Sequence, residues 1–348
     1  MRTYLNNTDP RYKNHNENSL FKIFFTDKLT DERDFPFIIL SLKILFTVVP
    51  NAILLFLPNL PGWLWWSLAL LHVVIVIVVY LSPFTLMLHN TSHRRFFKAK
   101  YGFANRIIPW LIGPFMGQSP ELYHSHHIGM HHAEGNMPED ESSTMPYQRD
   151  SFGSFLKYLA LFFFNGFFGL LLYFNRKNRK DMIPKTIYGE MSFVLMVIIL
   201  SYFNFPATFF VFIFPFIGIR FGMVAGNWGQ HAFVDPSAPS NPYLNSVTCI
   251  NCFYNKNCFN DGYHIGHHVK PHLHWTEMPV DFEKNINKYT EHQSLVFEKI
   301  DHFAVWFLLM VNRYDWLASY AVNINNAFSS DEELIALMKK RVQAFENK

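Results

Sequence analysis

Asp261-Gly262-Tyr263-His264-Ile265-Gly266-His267-His268 places three imidazoles at i, i+3 and i+4. On a helix these fall within about 100° of one another, so a single turn can aim all three at one metal ion. Three more clusters repeat the theme. His89 and His93 form HxxxH, His127, His131 and His132 form HxxxHH, and Asn227 with His231 forms NxxxH. Neutral imidazole suits iron, zinc, copper and nickel, and a zinc site usually takes four ligands. Nine histidines (His89, His93, His127, His131, His132, His231, His264, His267 and His268) therefore exceed one zinc site and fit two metal ions, iron being preferred.

The chain around these clusters is apolar. Half of its 348 residues are hydrophobic, with 38 Phe, 16 Tyr and 8 Trp, and the apolar residues gather in blocks long enough to cross a bilayer. A multi-pass, all-α integral membrane protein is expected. The net charge of +3 is too small to indicate nucleic acid, and no basic stripe interleaved with aromatics accompanies it. Residues 1–35 are polar and carry no signal-peptide core. Segment 36–57, interrupted by Pro50, reads as the first span. A second begins at an aromatic belt of Trp63, Trp65 and Trp66 and runs through His72 and Tyr80 toward His89 and His93. About twenty residues fill the hydrocarbon, so His89 and His93 stand just outside the lipid.

Residues 103–118 are apolar but short, with Pro109 and Pro114, and suit an interfacial segment. Three further apolar blocks follow at 151–174, 191–202 and 206–225, the last two joined at Asn204-Phe205-Pro206. All four histidine clusters share one face only if an even number of crossings separates His132 from Asn227. The last two blocks are thus read as a hairpin, and 151–174 as lying at the interface. Two transmembrane hairpins, four spans in all, result. Lys and Arg are frequent from Arg94 to Lys185, between the hairpins, and absent from the two tight turns, which puts both termini and the histidines on the cytosolic side. The domain-like body extends over 36–320. Residues 303–311 are too short to cross and are expected to rest on the bilayer. Residues 321–348 end in an amphipathic helix, with a Ser330 and Glu333 capping box and Leu334, Leu337, Met338, Val342 and Phe345 on its apolar face.

HxxxH, HxxxHH, NxxxH and HxxHH, in this order and set between hydrophobic hairpins, resemble the membrane-bound fatty acid desaturase and hydroxylase superfamily. The resemblance runs from about His89 to Pro279. It implies a cap holding a diiron centre, O2 as co-substrate, two electrons from a separate ferredoxin- or cytochrome-type donor, and a lipid or fatty acyl substrate. Tyr263 to Pro271 is similar to the third box of acyl-lipid desaturases, whereas the wide spacing of His127, His131 and His132 is that of alkane hydroxylases. Desaturation is the expected reaction, with hydroxylation of an acyl chain or alkane as the alternative. A metal transporter fits less well, because transporters place polar ligands near the bilayer midplane. No GxGxxG fingerprint and no fused haem or iron–sulfur module occurs in the 348 residues.

Other residues have simpler readings. Asn227 fits either a helix cap or a metal-bound water. His124 is a reserve ligand on the arc of the second box, while His126 points away from it. His72 lies about 25 Å of helix before His89 and belongs to the bundle. Arg220, inside a span, either snorkels or meets a polar group or buried acid. Asp261, Glu121 and Asp235 are candidates to orient ligand imidazoles. Cys249, Cys252 and Cys258 read as ordinary reduced thiols, His272 and His274 as solvated loop residues, and 134–150 as a solvated acidic loop.

Overall fold

The computed structural model describes residues 1–12 and 19–345 and is predominantly helical. Four helical stretches are long and apolar enough to cross a membrane: Glu32–Phe56, Gly62–His93, Phe152–Arg176 and Met182–Gln230. Two compact units make up the chain. One comprises Met1–Tyr12, Met130–Tyr173 and Gly222–Lys348; the other comprises Lys13–Gly129 and Phe174–Phe221.

The second of these is a hairpin unit. Helix α1 (Phe35–Phe56) and α2 (Gly62–His93, with a π-helical stretch at Val74–Tyr80) run antiparallel. Their pairing is fixed by polar groups reaching across: Asn51 Nδ2 donates to the Leu68 carbonyl at 3.2 Å, and Trp65 Nε1 to the Leu55 carbonyl at 3.0 Å. A buried helix pair cannot leave such groups unbonded without cost, so the bonds set the register. The 49-residue stretch Met182–Gln230 is not one rod. Asn204 leaves the helical region (φ −154°, ψ 87°), and its Oδ1 accepts from the Ala207 N–H at 3.1 Å, starting the return leg where Pro206 lacks a donor.

Helix α4 (Met182–Thr208) and α5 (Phe214–Gln230) therefore fold back on one another as a second hairpin. Phe193 stacks on Phe216 at 5.4 Å, and Glu190 pairs with Arg220 at 2.9 Å. The sums of these residue numbers differ by one, as an antiparallel turn at 204–205 requires. Arg220 thus meets a buried acid and also lies 3.9 Å over the Phe216 ring. Ala52, Leu55, Ala69, Phe193, Val211 and Phe212 form the apolar core joining the two hairpins. His72 is fully buried within this unit.

The histidine-rich unit has a different construction. Its N-terminal strap is sewn to distant sequence: Arg2 and Thr3 (β1) pair in parallel with Val322 and Asn323 (β4). Strand β2 (Thr248–Ile250) pairs in parallel with β3 (Val296–Glu298). Helix α7 (His302–Met310) buries Val305, Trp306, Leu308 and Leu309 in the core, leaving only Phe303, Phe307 and Val311 as an exposed apolar line. Four of the nine residues 303–311 are therefore core, and the exposed line is the part free to rest on a bilayer. The C-terminal helix α8 (Asp331–Arg341) packs Leu334, Met338 and Val342 into the same core. Its capping box is present with a shift: Ser330 Oγ accepts from the Glu333 N–H at 3.2 Å, while the Glu333 carboxylate reaches the Ser329 N–H at 2.7 Å. Ser330→Ala is expected to destabilise the protein by about 1 kcal/mol, read as a lowered thermal midpoint in detergent.

Helix α3 (Phe152–Arg176) has the length and composition of a span, yet polar chain runs beside it. Tyr158 donates to the Ser142 carbonyl at 2.9 Å and Tyr173 to the Glu134 carboxylate at 2.6 Å, while Gly169 lies against the Glu141 side chain. Fifteen residues separate the two tyrosines, about 22 Å of helix. Segment 134–142 therefore accompanies α3 for most of the thickness of a hydrocarbon core.

Candidate metal centre

Helix α6 (His264–Val269) carries the third box, and its approach is tightly specified. A Cβ on Gly262 would lie 2.3 Å from the Cys249 carbonyl, so only glycine lets β2 come this close. The Gly262 carbonyl accepts from the Cys249 N–H at 2.7 Å, and its own N–H donates to Asn255 Oδ1 at 2.9 Å. Tyr263 is anchored from the N-terminal strap: its hydroxyl donates to Asp9 Oδ2 at 2.6 Å and lies 2.7 Å from Asn7 Nδ2. The strap thereby holds the residue next to His264.

Within the histidine-rich unit, His131, His231, His264 and His268 offer ring nitrogens that all lie within 4.8 Å of one another. His264 Nε2 is 3.1 Å from His231 Nε2 and 3.0 Å from His268 Nε2. A ring nitrogen has either one proton or one lone pair in its plane, so hydrogen bonding can satisfy only one of these contacts well. A metal ion held among these nitrogens would account for both. Imidazoles bind at about 2.0–2.1 Å, and two nitrogens at right angles on such an ion are about 3.0 Å apart. The donor set, all neutral imidazole, fits iron. Burial pushes His231 down to about 3 and His264 well below the usual imidazole range, so both rings present lone pairs.

The rings are aimed from behind. His131 Nδ1 lies 2.7 Å from Asp140 Oδ2, and His231 Nδ1 lies 2.9 Å from the Asn245 carbonyl. Each contact leaves Nε2 as the free ligand atom. His132 Nε2 and His267 Nε2 meet at 2.8 Å in the same unit. In the hairpin unit, His93 Nε2 and His127 Nε2 are 2.9 Å apart, the His89 ring is 4.5 Å from that of His127, and Tyr123 stacks on His127.

The sequence model of the fatty acid desaturase family matches residues 63–299, about two thirds of the chain. This chain belongs to that family. Among curated proteins, this desaturase family member is similar to a putative sphingolipid delta(4)-desaturase/C4-monooxygenase of Caenorhabditis elegans, with 24% identity over 246 residues. That alignment covers 67% of this chain and 65% of the relative, so the chain spans just under two thirds of the relative's length. No solved structure matches.

The structure places the other residues singled out in this desaturase family chain, some of them differently from their sequence readings. Segment 134–150 is not simply solvated: Asp140, Ser142, Ser143, Thr144 and Arg149 are buried. Asp140, which sequence reasoning passed over, also accepts from the N–H groups of Asn136 and Ser142 and from the Ser142 hydroxyl. The orienting candidates Glu121 and Asp235 serve other groups, Trp110 Nε1 at 2.7 Å and the Arg341 guanidinium at 3.0 Å. Asp261 accepts from the Tyr254 hydroxyl at 2.8 Å. Asn227 donates from Nδ2 to the Ser142 carbonyl and lies 2.8 Å from the Tyr158 hydroxyl, so its amide is held on the segment that orients His131. His124 lines a cavity and is not among the grouped imidazoles. His274 is buried and accepts from the Thr276 N–H as a helix cap, whereas His272 is exposed. The three cysteines are buried and unbridged, and burial pushes the Cys252 thiol up to about 12.

Proposed function

We propose that this chain is an O2-dependent desaturase of lipid acyl chains, and that its nine boxed histidines hold two iron ions, one of them at His131, His231, His264 and His268. What carries this reading is the buried all-imidazole cluster in a chain of the desaturase family. Iron bound there would supply the oxidising chemistry, drawing two electrons from a separate ferredoxin- or cytochrome-type protein. The balance is one O2, two electrons, two protons and two hydrogens of the chain, giving a double bond and two waters.

The protein's own groups do the rest. Asp140 and Asn245 hold His131 and His231 in one tautomer and orientation. Asn227, fixed by Ser142 and Tyr158, stands ready to position a metal-bound water. In this reading the two hairpins provide four spans and α3 lies at the interface, which the polar segment 134–142 running beside it supports, and the histidines and both termini face the cytosol, which the Lys and Arg distribution supports.

Hydroxylation is the second reading. It is favoured by the HxxxHH spacing of His127, His131 and His132 and by the dual name of the nematode relative. Mass spectrometry of lipids from expressing cells separates the two. A product two hydrogens lighter, absent with His267→Ala and His268→Ala, is expected; one oxygen heavier makes the chain a hydroxylase, and identical profiles sink both.

A further inference from the structure

A cavity of about 560 Å³ lies wholly within the hairpin unit, lined by the end of α2 from Leu88 to His93 and by chain that follows it, as far as Lys185. Its wall carries Arg95, Arg106 and Lys185, and among the described residues none of the three makes an ion pair. Their neighbour Arg94 is different, being held by Asp31 at 2.9 Å. Glu121 is the wall's one acid, so the unpaired positive charges exceed it by two. The Ser119 hydroxyl, 1% exposed and without a hydrogen-bond partner, is also part of the wall, beside Gln118 and Asn105. A buried hydroxyl is seldom left unbonded, and three exposed cations with no ion pair, gathered at one cavity, give its mouth a positive potential even after screening by water. Both features are relieved by one kind of guest, an anion with several acceptor oxygens.

We propose that this cavity receives a phosphate group carried by the substrate, which makes the acyl chain part of a phosphate-bearing molecule. The inference rests on the desaturase reading and refines its substrate class. A fatty acid carboxylate has two oxygens in one plane and would leave part of the wall unmatched, whereas a phosphate, monoester or diester, sets four oxygens tetrahedrally around phosphorus. A phosphate offers more oxygens to two guanidinium forks, an ammonium and a hydroxyl. The position suits a head group. Phe103, Trp110 and Leu111, from the segment that forms one side of the cavity, are 78%, 40% and 52% exposed, an apolar face fit for the lipid boundary, while Trp110 is tied to Glu121 in the wall. The cavity thus combines a membrane-seeking rim with a cationic, solvent-facing mouth formed by the exposed Arg95, Arg106 and Lys185, next to a boxed histidine.

Two molecules could bring the phosphate, a phospholipid or a coenzyme A thioester. Equilibrium dialysis of the full, iron-loaded chain in uncharged detergent against coenzyme A, dihexanoyl phosphatidylglycerol and dihexanoylglycerol distinguishes them. At least one phosphate-bearing probe is expected to bind tenfold or more tightly than dihexanoylglycerol, and whichever binds names the source. The triple variant Arg95→Gln, Arg106→Gln, Lys185→Gln is expected to lose at least tenfold of that affinity while keeping its iron and its thermal midpoint. Equal binding of the three probes, or unchanged phosphate binding by the triple variant, overturns the proposal. So does a triple variant whose only defect is a raised KM for the electron donor, which would assign the cavity to that partner. Should the triple variant misfold, Lys185→Gln alone, with an expected loss of about threefold, serves the same comparison. An iron-loaded protein that binds phosphate but yields no altered lipid refutes the desaturase reading alone; an active one indifferent to phosphate refutes this one alone.

Discussion

His264→Ala is expected to reduce bound iron by half or more and to lower product formation at least a thousandfold, about 4 kcal/mol on the barrier. His264 is central to its cluster, since its Nε2 lies 3.1 Å from the ring nitrogen of His231 and 3.0 Å from that of His268. Without it the remaining three imidazoles lose the member that closes their set. The fold around it should survive, because Gly262, Tyr263 and Asp9 fix α6 through bonds that do not use the imidazole. The metal-free proteins are therefore expected to unfold within a few degrees of each other, whereas the iron-loaded variant falls well below iron-loaded wild type, metal affinity being folding free energy. Iron analysis and thermal unfolding check this together. A variant that keeps full iron and activity would show that the cluster is a hydrogen-bonded core rather than a metal site.

The hairpins were legible because a bilayer leaves few alternatives. Long apolar blocks broken by Asn59-Leu60-Pro61-Gly62 or by Asn204-Phe205-Pro206 have little choice but to turn there, since each backbone group in lipid must bond internally. The boxes were legible because helical spacing at i, i+3 and i+4 is itself geometry: His264, His267 and His268 share a turn. Arg220 could be flagged from its depth, though its partner Glu190, thirty residues earlier, could not be named. Only the antiparallel register brings them together.

Long-range polar contacts were what the sequence hid. Asp9 reaches Tyr263 across 254 positions, and Met1–Tyr12 looks like any polar leader until that bond is seen. Segment 134–150 misled for a related reason. Acidic and hydroxyl residues in a loop usually signal solvent, and nothing in their spacing distinguishes a carboxylate facing water from one turned inward by three donors. One signal was available: Asp140 is followed at i+2 by Ser142, the pattern of an Asx turn, which marks an ordered carboxylate. Asp235 with Ser237 shows the same pattern and binds Arg341 instead. The motif reports order and leaves the partner open.

Asp140→Ala follows from that hidden contact and is expected to cost 10- to 100-fold in activity or iron affinity, the usual loss when the carboxylate behind a ligand histidine is removed. Its side chain is fully buried and serves two ends at once. One oxygen faces His131 Nδ1, and the pair of oxygens gathers the Asn136 and Ser142 donors that shape the turn after the second box. Alanine removes both functions and leaves buried N–H groups unbonded, at about 1–3 kcal/mol each. Asparagine separates them. It retains one acceptor for the turn but cannot stabilise the His131 ring as a carboxylate does, so Asp140→Asn should fold nearly as well as wild type and still bind iron weakly. Iron titration of the two variants beside their thermal midpoints tests the separation. If the asparagine variant matches wild type in iron affinity, Asp140 shapes only the turn, and the orientation of His131 must come from the packing around its ring.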